Sequence, residues 1–422
     1  MGSTSPCVDS VRHIPLYYDS SDSYNSALKL ILTLRPEWSK TTDTIEFVKF
    51  TDGITNTLLQ ALNRIPGLSE AQVEEDSILL RAYGRGTDVL IDREKETSSH
   101  SLLARHGLAP TLYARFENGL LYKFLRGSVC SPEHLRRPEV WRGVAQRLGQ
   151  WHATLPISNI SQVSAVPAPD TVQNRCASVE ATDSLTPGKP IPNLWTTMQK
   201  WILALPTSTS TETSRRDVLQ RELEWLIQQL LDTPGIGGSE PFVFAHCDLL
   251  SGNVIIEPSP SSASASRRSS ASEVSEEEGP VESVSFIDYE YTTPAPAAFD
   301  IANHFAEWGG FDCDFSVLPT RSVRRAFLRE YLRSYNLHSS RAYKEAELDE
   351  LFSQVDRFRG VPGFYWGIWA LIQAKISLID FDYANYAEIR LGEYWAWKHE
   401  YTGERKAKGS KLPLREERWA QE

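Results

Sequence analysis

Hydrophobic and polar positions in the first third of the chain shift repeatedly between a helical and a two-residue period. From Ser21 to Leu34, Ala27, Leu28, Ile31 and Leu34 recur at helical spacing, and Pro36 closes the segment. Phe47 to Phe50 reads as a short strand, Thr51 to Thr57 as a polar turn, and Leu58-Leu59 resumes the strand pattern. Ile78 to Tyr83 is a further strand and Asp92 to Arg105 a helix. Thr111 to Phe116 and Leu120 to Leu125 form a hairpin about Asn118-Gly119, a dipeptide that accepts the positive φ of a tight turn. Arg126-Gly127 reads as a hinge. After it Pro138 opens a helix in which Val140, Val144, Leu148 and Trp151 share one face, with His152 packed or capping at its end.

Further along, Phe242 to Ala245, Val254 to Ile256 and Val284 to Ile287 are short apolar runs of buried-strand character. Residues 156 to 193 are rich in Ser, Thr, Pro and Ala and read as a long loop. Residues 258 to 283, with Arg267-Arg268-Ser269-Ser270 and Glu276-Glu277-Glu278, read as a disordered, solvated insertion; phosphorylation at Ser269 or Ser270 is the rival reading. The strands on either side must pair across it, which entropy permits because closure cost grows only logarithmically with loop length. In the most apolar window, Val361 to Asp380, Gln373, Lys375 and Ser377 intervene well short of the roughly twenty apolar residues of a membrane span. A buried helix is the expectation, and no transmembrane segment.

Composition narrows the classes. The 422 residues, 41% hydrophobic, can bury a large core and suggest two lobes, residues 1–126 and 127–422. A net charge of −11 without a long basic run argues against a nucleic-acid partner. Arg324-Arg325 and Lys406 to Lys411 read as solvated surface. The five cysteines, Cys7, Cys130, Cys176, Cys247 and Cys313, are scattered without metal-ligand spacing. Met1 to Ser10 lacks a basic stretch followed by an apolar one, so a cytoplasmic location is expected.

Chemistry enters with His246-Cys247-Asp248-Leu249-Leu250-Ser251-Gly252-Asn253, followed after the insertion by Phe286-Ile287-Asp288-Tyr289-Glu290. A lone Asp or Asn is more often a turn or cap residue than a ligand. Here, however, a strand, a loop and a strand ending in Asp bring three oxygen-bearing side chains to one edge. One carboxylate can take a hydroxyl proton while the Asn253 amide oxygen and the other carboxylate hold Mg2+ against the triphosphate of ATP, the equipment of phosphoryl transfer. Nearer the N-terminus, Asp52, Gly53, Thr55 and Asn56 lie in a turn whose N–H groups suit phosphates, although this segment by itself reads better as an ordinary hairpin turn. Arg81 supplies a strand cation, with Glu94 or, preferably, Glu96 as its helix partner.

These residues together resemble the choline and ethanolamine kinase family. The run Ile287-Asp288-Tyr289-Glu290-Tyr291, the stretch from Phe299 to Trp308, and Phe364 to Gln373 carry the likeness, which covers about Phe47 to Lys398. It implies an α+β fold of the two-lobed protein-kinase-like type, with a small β-rich N-lobe and a larger, mainly helical C-lobe. It also implies Asp248 as general base, Asn253 and Asp288 as magnesium ligands, Asp52 to Thr57 as phosphate loop and Arg81 as phosphate cation. Lys123, Phe124 and Leu125 would be the adenine-side linker, and Asp300 a buried brace for the loop. Leu250, the run Asp92 to Glu96, and His106 to Pro110 look more like ethanolamine kinases than choline kinases.

A small cationic amino alcohol needs a carboxylate and aromatic faces, since an ammonium over an indole gains about 0.5–2 kcal/mol. Glu307 supplies the charge, and Trp366, Trp369, Tyr291, Phe381, Tyr383 and Tyr386 the rings; a purely packed aromatic core is the rival reading. The expected activity is Mg- and ATP-dependent phosphorylation of ethanolamine, the first step towards phosphatidylethanolamine through the CDP-ethanolamine route. A choline or dual-specificity kinase is the alternative within the class, and a nucleotide-binding pseudokinase or scaffold the alternative outside it. A homodimer is compatible with this reading.

Overall fold

The computed structural model describes residues 11–50, 56–84, 90–155, 157, 185–258, 279–377 and 379–422. The chain divides into two compact units, Met1–Arg126 and Gly127–Glu422.

The first unit is built on a six-stranded sheet ordered β1-β5-β6-β4-β3-β2: β1 (His13–Ile14), β2 (Ile45–Phe50), β3 (Thr57–Asn63), β4 (Ile78–Ala82), β5 (Leu112–Phe116) and β6 (Gly119–Lys123). All neighbours are antiparallel except β1 with β5. Successive side chains of a strand face opposite sides. Ile78 and Leu80 therefore join Leu59, Ala61 and Leu121 in a core that includes Leu30 and Ile31 of the helix Ser23–Leu34. The same alternation sends Arg81 to the other face. The helix Arg93–Arg105 begins where Asp92 accepts hydrogen bonds from the backbone N–H of Glu94 and Lys95, both at 3.1 Å, satisfying donors that a helix start leaves open.

In the second unit, two small ladders hold two loops side by side. β8 (Val243–Ala245) pairs antiparallel with β11 (Thr293–Ala295), Ala245 opposite Thr293. β9 (Val254–Ile256) pairs with β10 (Val284–Phe286), Val254 opposite Phe286, so pairing does occur across the insertion, whose residues 259–278 lie outside those described. β7 (Ser128–Val129) completes the three-stranded sheet. The segment 246–253 leaves one ladder for the other, and 287–292 returns, so the pairing fixes both loops at the same ladder ends.

Helices surround these ladders. Pro138–Thr154 packs on Arg321–His338, and Val361–Ile376 on Tyr383–Tyr401. The Val361–Ile376 helix is buried along most of its length and stops four residues short of the expected Asp380, because Ser377 is extended. Among the described residues no helix is long and apolar enough to cross a membrane. Cys130, Cys247 and Cys313 are buried.

One surface expectation fails. Arg324 is 1% exposed, its guanidinium 3.9 Å from the Trp419 ring centroid, while Arg325 does lie at the surface. Burial, only partly offset by Asp356, lowers the Arg324 guanidinium to about 10. Helical period alone could not separate these neighbours, because adjacent residues point about 100° apart.

The Pro138–Thr154 and Arg321–His338 helices approach closely at Gly149, where an added Cβ would lie 2.4 Å from the Tyr331 carbonyl oxygen. Gly149→Ala should therefore lower stability by about 1–3 kcal/mol through overpacking, against a helix-propensity gain of about 1 kcal/mol. Urea unfolding checks this; an unchanged or higher midpoint would contradict the close approach.

Candidate active site

The His246–Asn253 loop is held by one helix, Ala297–Ala306, through side chains spaced i, i+3 and i+4, which lie on one helix face. Asp300 is fully buried and accepts the N–H of His246 at 2.9 Å on Oδ2 and that of Cys247 at 2.7 Å on Oδ1. Asn303 donates Nδ2–H to the Cys247 carbonyl at 2.9 Å, and His304 donates Nδ1–H to the Leu249 carbonyl at 2.8 Å. Asp300 Oδ2 also lies 3.0 Å from His152 Nε2, whose other ring nitrogen is 2.7 Å from Tyr331 Oη. His152 is thus a packed histidine supporting the loop. Burial alone would raise the Asp300 carboxyl, but the hydrogen bond and charge of His152, with His246, outweigh it and hold the group below its ordinary value.

His246 ties the two loops together. Its Nε2–H donates to the Ile287 carbonyl at 3.1 Å, and its Nδ1 accepts the Asp248 N–H at 3.3 Å. Ile287 N–H donates to the Asn253 carbonyl at 3.0 Å. Burial lowers the His246 imidazole and keeps it neutral, as this pair of bonds requires. Cys247 and Asp288 both have left-handed backbone, φ 63° and 65°. Such conformations cost non-glycine residues energy and persist where surrounding bonds enforce them.

Asp248 sits between these constraints, 8% exposed. Its Oδ2 and its own carbonyl accept from Asn253 Nδ2, at 3.1 and 2.8 Å. Burial, then the charges of Asp288, Glu307 and Glu290, push the Asp248 carboxyl well above the usual carboxylate range, against the Asn253 bond. Sequence reasoning assigned Glu290 no role. Its place two residues after Asp288 on the returning loop was the available signal.

The donor set around Asp248 is all oxygen, which suits a hard cation. With its side-chain N–H committed to Asp248, Asn253 has its side-chain oxygen Oδ1 to offer a ligand. Among the described residues no three His, Cys, Asp or Glu side chains converge on a metal position. Magnesium commonly takes one or two protein carboxylates and completes its shell with phosphate oxygens and water, so Asn253 and Asp288 fit it.

The aromatic side chains singled out in the sequence form one connected group. Ring centroids are 5.7 Å apart for Tyr291 and Trp366, 5.4 Å for Trp366 and Trp369, and 5.7 Å for Trp369 and Tyr383. Phe381, partly exposed, lies 4.8 Å from Tyr383 and 5.6 Å from Tyr386. Trp366 donates its indole N–H to Asn303 Oδ1 and Trp369 to Tyr291 Oη, both at 2.8 Å. Glu307 follows the bracing helix directly. It has a partner that the sequence reading did not name: Arg390 Nη2 lies 3.1 Å from its Oε1. Arg390 escaped notice because 83 positions separate it from Glu307, although Arg390 and Glu393 one turn apart in an aromatic helix were a signal.

In the first unit, Arg81 and Glu96 are brought together at 3.4 Å, both buried, and Arg93 shares Glu96 at 2.9 Å. Glu94, the other candidate partner, is exposed. Asn56 Oδ1 accepts the Gly84 N–H at 3.4 Å, whereas Asp52, Gly53 and Thr55 lie outside the described residues. Lys123 pairs with Glu75 at 2.5 Å, the Phe124 ring stacks on Phe50 at 6.0 Å, and Leu125 is half-buried.

A family model described as choline/ethanolamine kinase matches residues 47–395. Ethanolamine kinase 1 of Mus musculus is 33% identical over 90% of this chain and 90% of its own length. The ethanolamine kinase of Drosophila melanogaster is 30% identical over 95% of this chain and 82% of its own. Among solved structures, an ethanolamine kinase of Plasmodium vivax superposes with a TM-score of 0.64 at 24% identity, covering 90% of this chain and 89% of that one. At these identities the structural likeness speaks for the fold.

The opposed settings of Asp248 and Asp300 predict opposed stability effects. Asp248 is raised in the fold, so its contribution is complete below the unfolded value of about 3.9 and is lost as pH rises through the folded value. Asp300 is depressed, so its contribution is present above that unfolded value and is lost as pH falls through the folded one. Without metal at pH 7.5, Asp248→Asn should raise stability by about 1–3 kcal/mol, and Asp300→Asn should lower it. Thermal unfolding across pH 4–8 checks both, with the Asp248→Asn gain shrinking towards acid. A less stable Asp248→Asn variant at pH 7.5 would refute the buried-charge account.

Proposed function

Since this chain belongs to the choline/ethanolamine kinase family, we propose that it transfers the γ-phosphoryl group of ATP to the hydroxyl of ethanolamine, giving phosphoethanolamine, a head-group precursor of phosphatidylethanolamine. The observation that carries this is a buried Asp248 with a raised carboxyl on a braced loop, with Glu307 and a ring cluster in the same unit.

Asp248 accepts a hydrogen bond from the acceptor hydroxyl and takes its proton as the new oxygen–phosphorus bond forms; the bond to the β-phosphate oxygen breaks and ADP leaves. The raised carboxyl makes Asp248 a stronger base than a solvent-exposed aspartate. Asn253 and Asp288 would hold Mg2+, which when bound offsets negative charge on the phosphates. Glu290 adds a further carboxylate on the same loop. Arg81, fixed by Glu96, suits the α and β phosphates, with Asp52 to Thr57 as the phosphate loop and Lys123 to Leu125 on the adenine side. At the acceptor's other end, the ammonium faces Glu307 and the rings of Trp366, Trp369, Tyr291, Tyr383, Tyr386 and Phe381.

Ethanolamine is preferred over choline because the relatives described above carry that name. Chemistry adds one reason: three N–H donors reward a carboxylate such as Glu307. A quaternary ammonium draws only on charge and ring faces.

ADP release with Mg-ATP and ethanolamine, choline or no acceptor tests the reading. Ethanolamine-dependent release should dominate, and Asp248→Asn should lower turnover by at least about 10²–10⁴. A choline preference would move the assignment to the sister activity. Near-wild-type turnover in the variant would remove Asp248 from the mechanism, and no acceptor-dependent release would favour a nucleotide-binding pseudokinase.

A further inference from the structure

A buried ladder of alternating charges runs from Glu307 to the last helix of the chain. Glu307 Oε1 lies 3.1 Å from Arg390 Nη2, and Arg390 Nε lies 3.2 Å from Glu393 Oε1. Glu393 Oε2 is 3.1 Å from Arg415 Nε, and Arg415 Nη1 is 2.9 Å from Glu416 Oε1. Glu416 Oε2 closes the series 2.7 Å from Arg359 Nη2. The first five side chains are at most 7% exposed; only that of Arg359, at 15%, reaches towards solvent.

Stability alone is a weak reason to bury five charges, because well-packed apolar residues often serve as well. What the ladder does supply is a graded potential at Glu307. An isolated Glu307–Arg390 pair would offer an ammonium almost no net charge. Here Arg390 is shared with Glu393, which is shared with Arg415, and so on, so Glu307 is neutralised only in part and forms the negative end of the series.

The far end is firmly seated. Arg415 and Glu416 belong to the helix Leu414–Ala420, and Arg415 also donates to the Arg359 carbonyl. Trp419 of that helix donates its indole N–H to Asp356 at 2.7 Å and accepts from Arg324 on its carbonyl at 3.0 Å. Arg415 and Glu416 lie beyond residue 395, where the family match ends.

We infer that Arg415 and Glu416, with Arg359, are positioning residues that set affinity for the cationic acceptor by controlling how far Arg390 neutralises Glu307. The inference rests on the reading of Glu307 as the partner of the substrate ammonium.

Steady-state kinetics of the full chain test it, with ethanolamine and ATP varied separately. Glu416→Gln lets Arg415 turn to Glu393, frees Arg390 for Glu307 and should raise KM for ethanolamine about threefold. Arg359→Met removes the opposite charge and should lower it by a similar factor, while KM for ATP stays unchanged in both. In a Glu307→Gln background both shifts should vanish. A packing defect would instead lower kcat or the folded fraction in both variants. Unchanged KM for ethanolamine, shifts of the same sign, or shifts that survive in the Glu307→Gln background overturn the inference. Should Glu416→Gln not fold, Arg359→Met decides by its sign, being at the more exposed end. Loss of ethanolamine-dependent ADP release in the wild-type chain would be a different failure, removing the functional reading and this inference with it.

Discussion

The second unit's site depends on one buried carboxylate. Asp300 has no solvent to offset its charge, and it is kept ionised by two backbone N–H groups of the loop and by His152. Those bonds do two things at once. They satisfy a charge that would otherwise be costly to bury, and they hold His246 and Cys247 in place although Cys247 has a left-handed backbone that its side chain disfavours. Removing the brace would leave loop donors unsatisfied inside the protein and release the strain next to Asp248. Asn303 and His304 extend the same logic down the helix, each spending a side-chain donor on a loop carbonyl.

Asp248 and Asp300 show how environment divides labour between identical side chains. Asp300 meets donors and is pushed down; Asp248 meets carboxylates and burial and is pushed up. A residue whose charged form is disfavoured by its surroundings is the one that gains most from a cation or a hydroxyl donor arriving there. The repulsion that Asp288 and Glu290 exert on Asp248 is therefore what a cation at this site would relieve.

Local pattern made much of this legible. Strand, loop and strand around Asp248 and Asn253 could be read because alternation and apolar runs are short-range signals, and the pairing across the insertion followed from them. The Arg81–Glu96 pair was found because one strand and the next helix are neighbours in sequence. What escaped was partnership at long separation: Glu307 with Arg390, Glu393 with Arg415, and Arg324 under Trp419. A charged residue in a sequence looks solvated until its buried partner is known, and nothing in the spacing of Arg324 and Trp419 joins them. Asp300 was anticipated only through family likeness, since an aspartate inside an apolar helix has no local explanation.

The ring cluster illustrates what buried polar handles do for aromatic side chains. Trp366 and Trp369 could rotate as apolar side chains, but each indole N–H is tied, one to Asn303 and the other to Tyr291. Asn303 is the same side chain whose Nδ2 holds the Cys247 carbonyl, so the orientation of Trp366 is coupled to the loop that carries Asp248. The conformational entropy of these rings is already lost on folding, which would lower the cost of meeting a small cation in the proposed role. It also means that loop and ring wall share one hydrogen-bonded frame, so a disturbance of Asn303 would be felt both at the loop that carries Asp248 and at the rings.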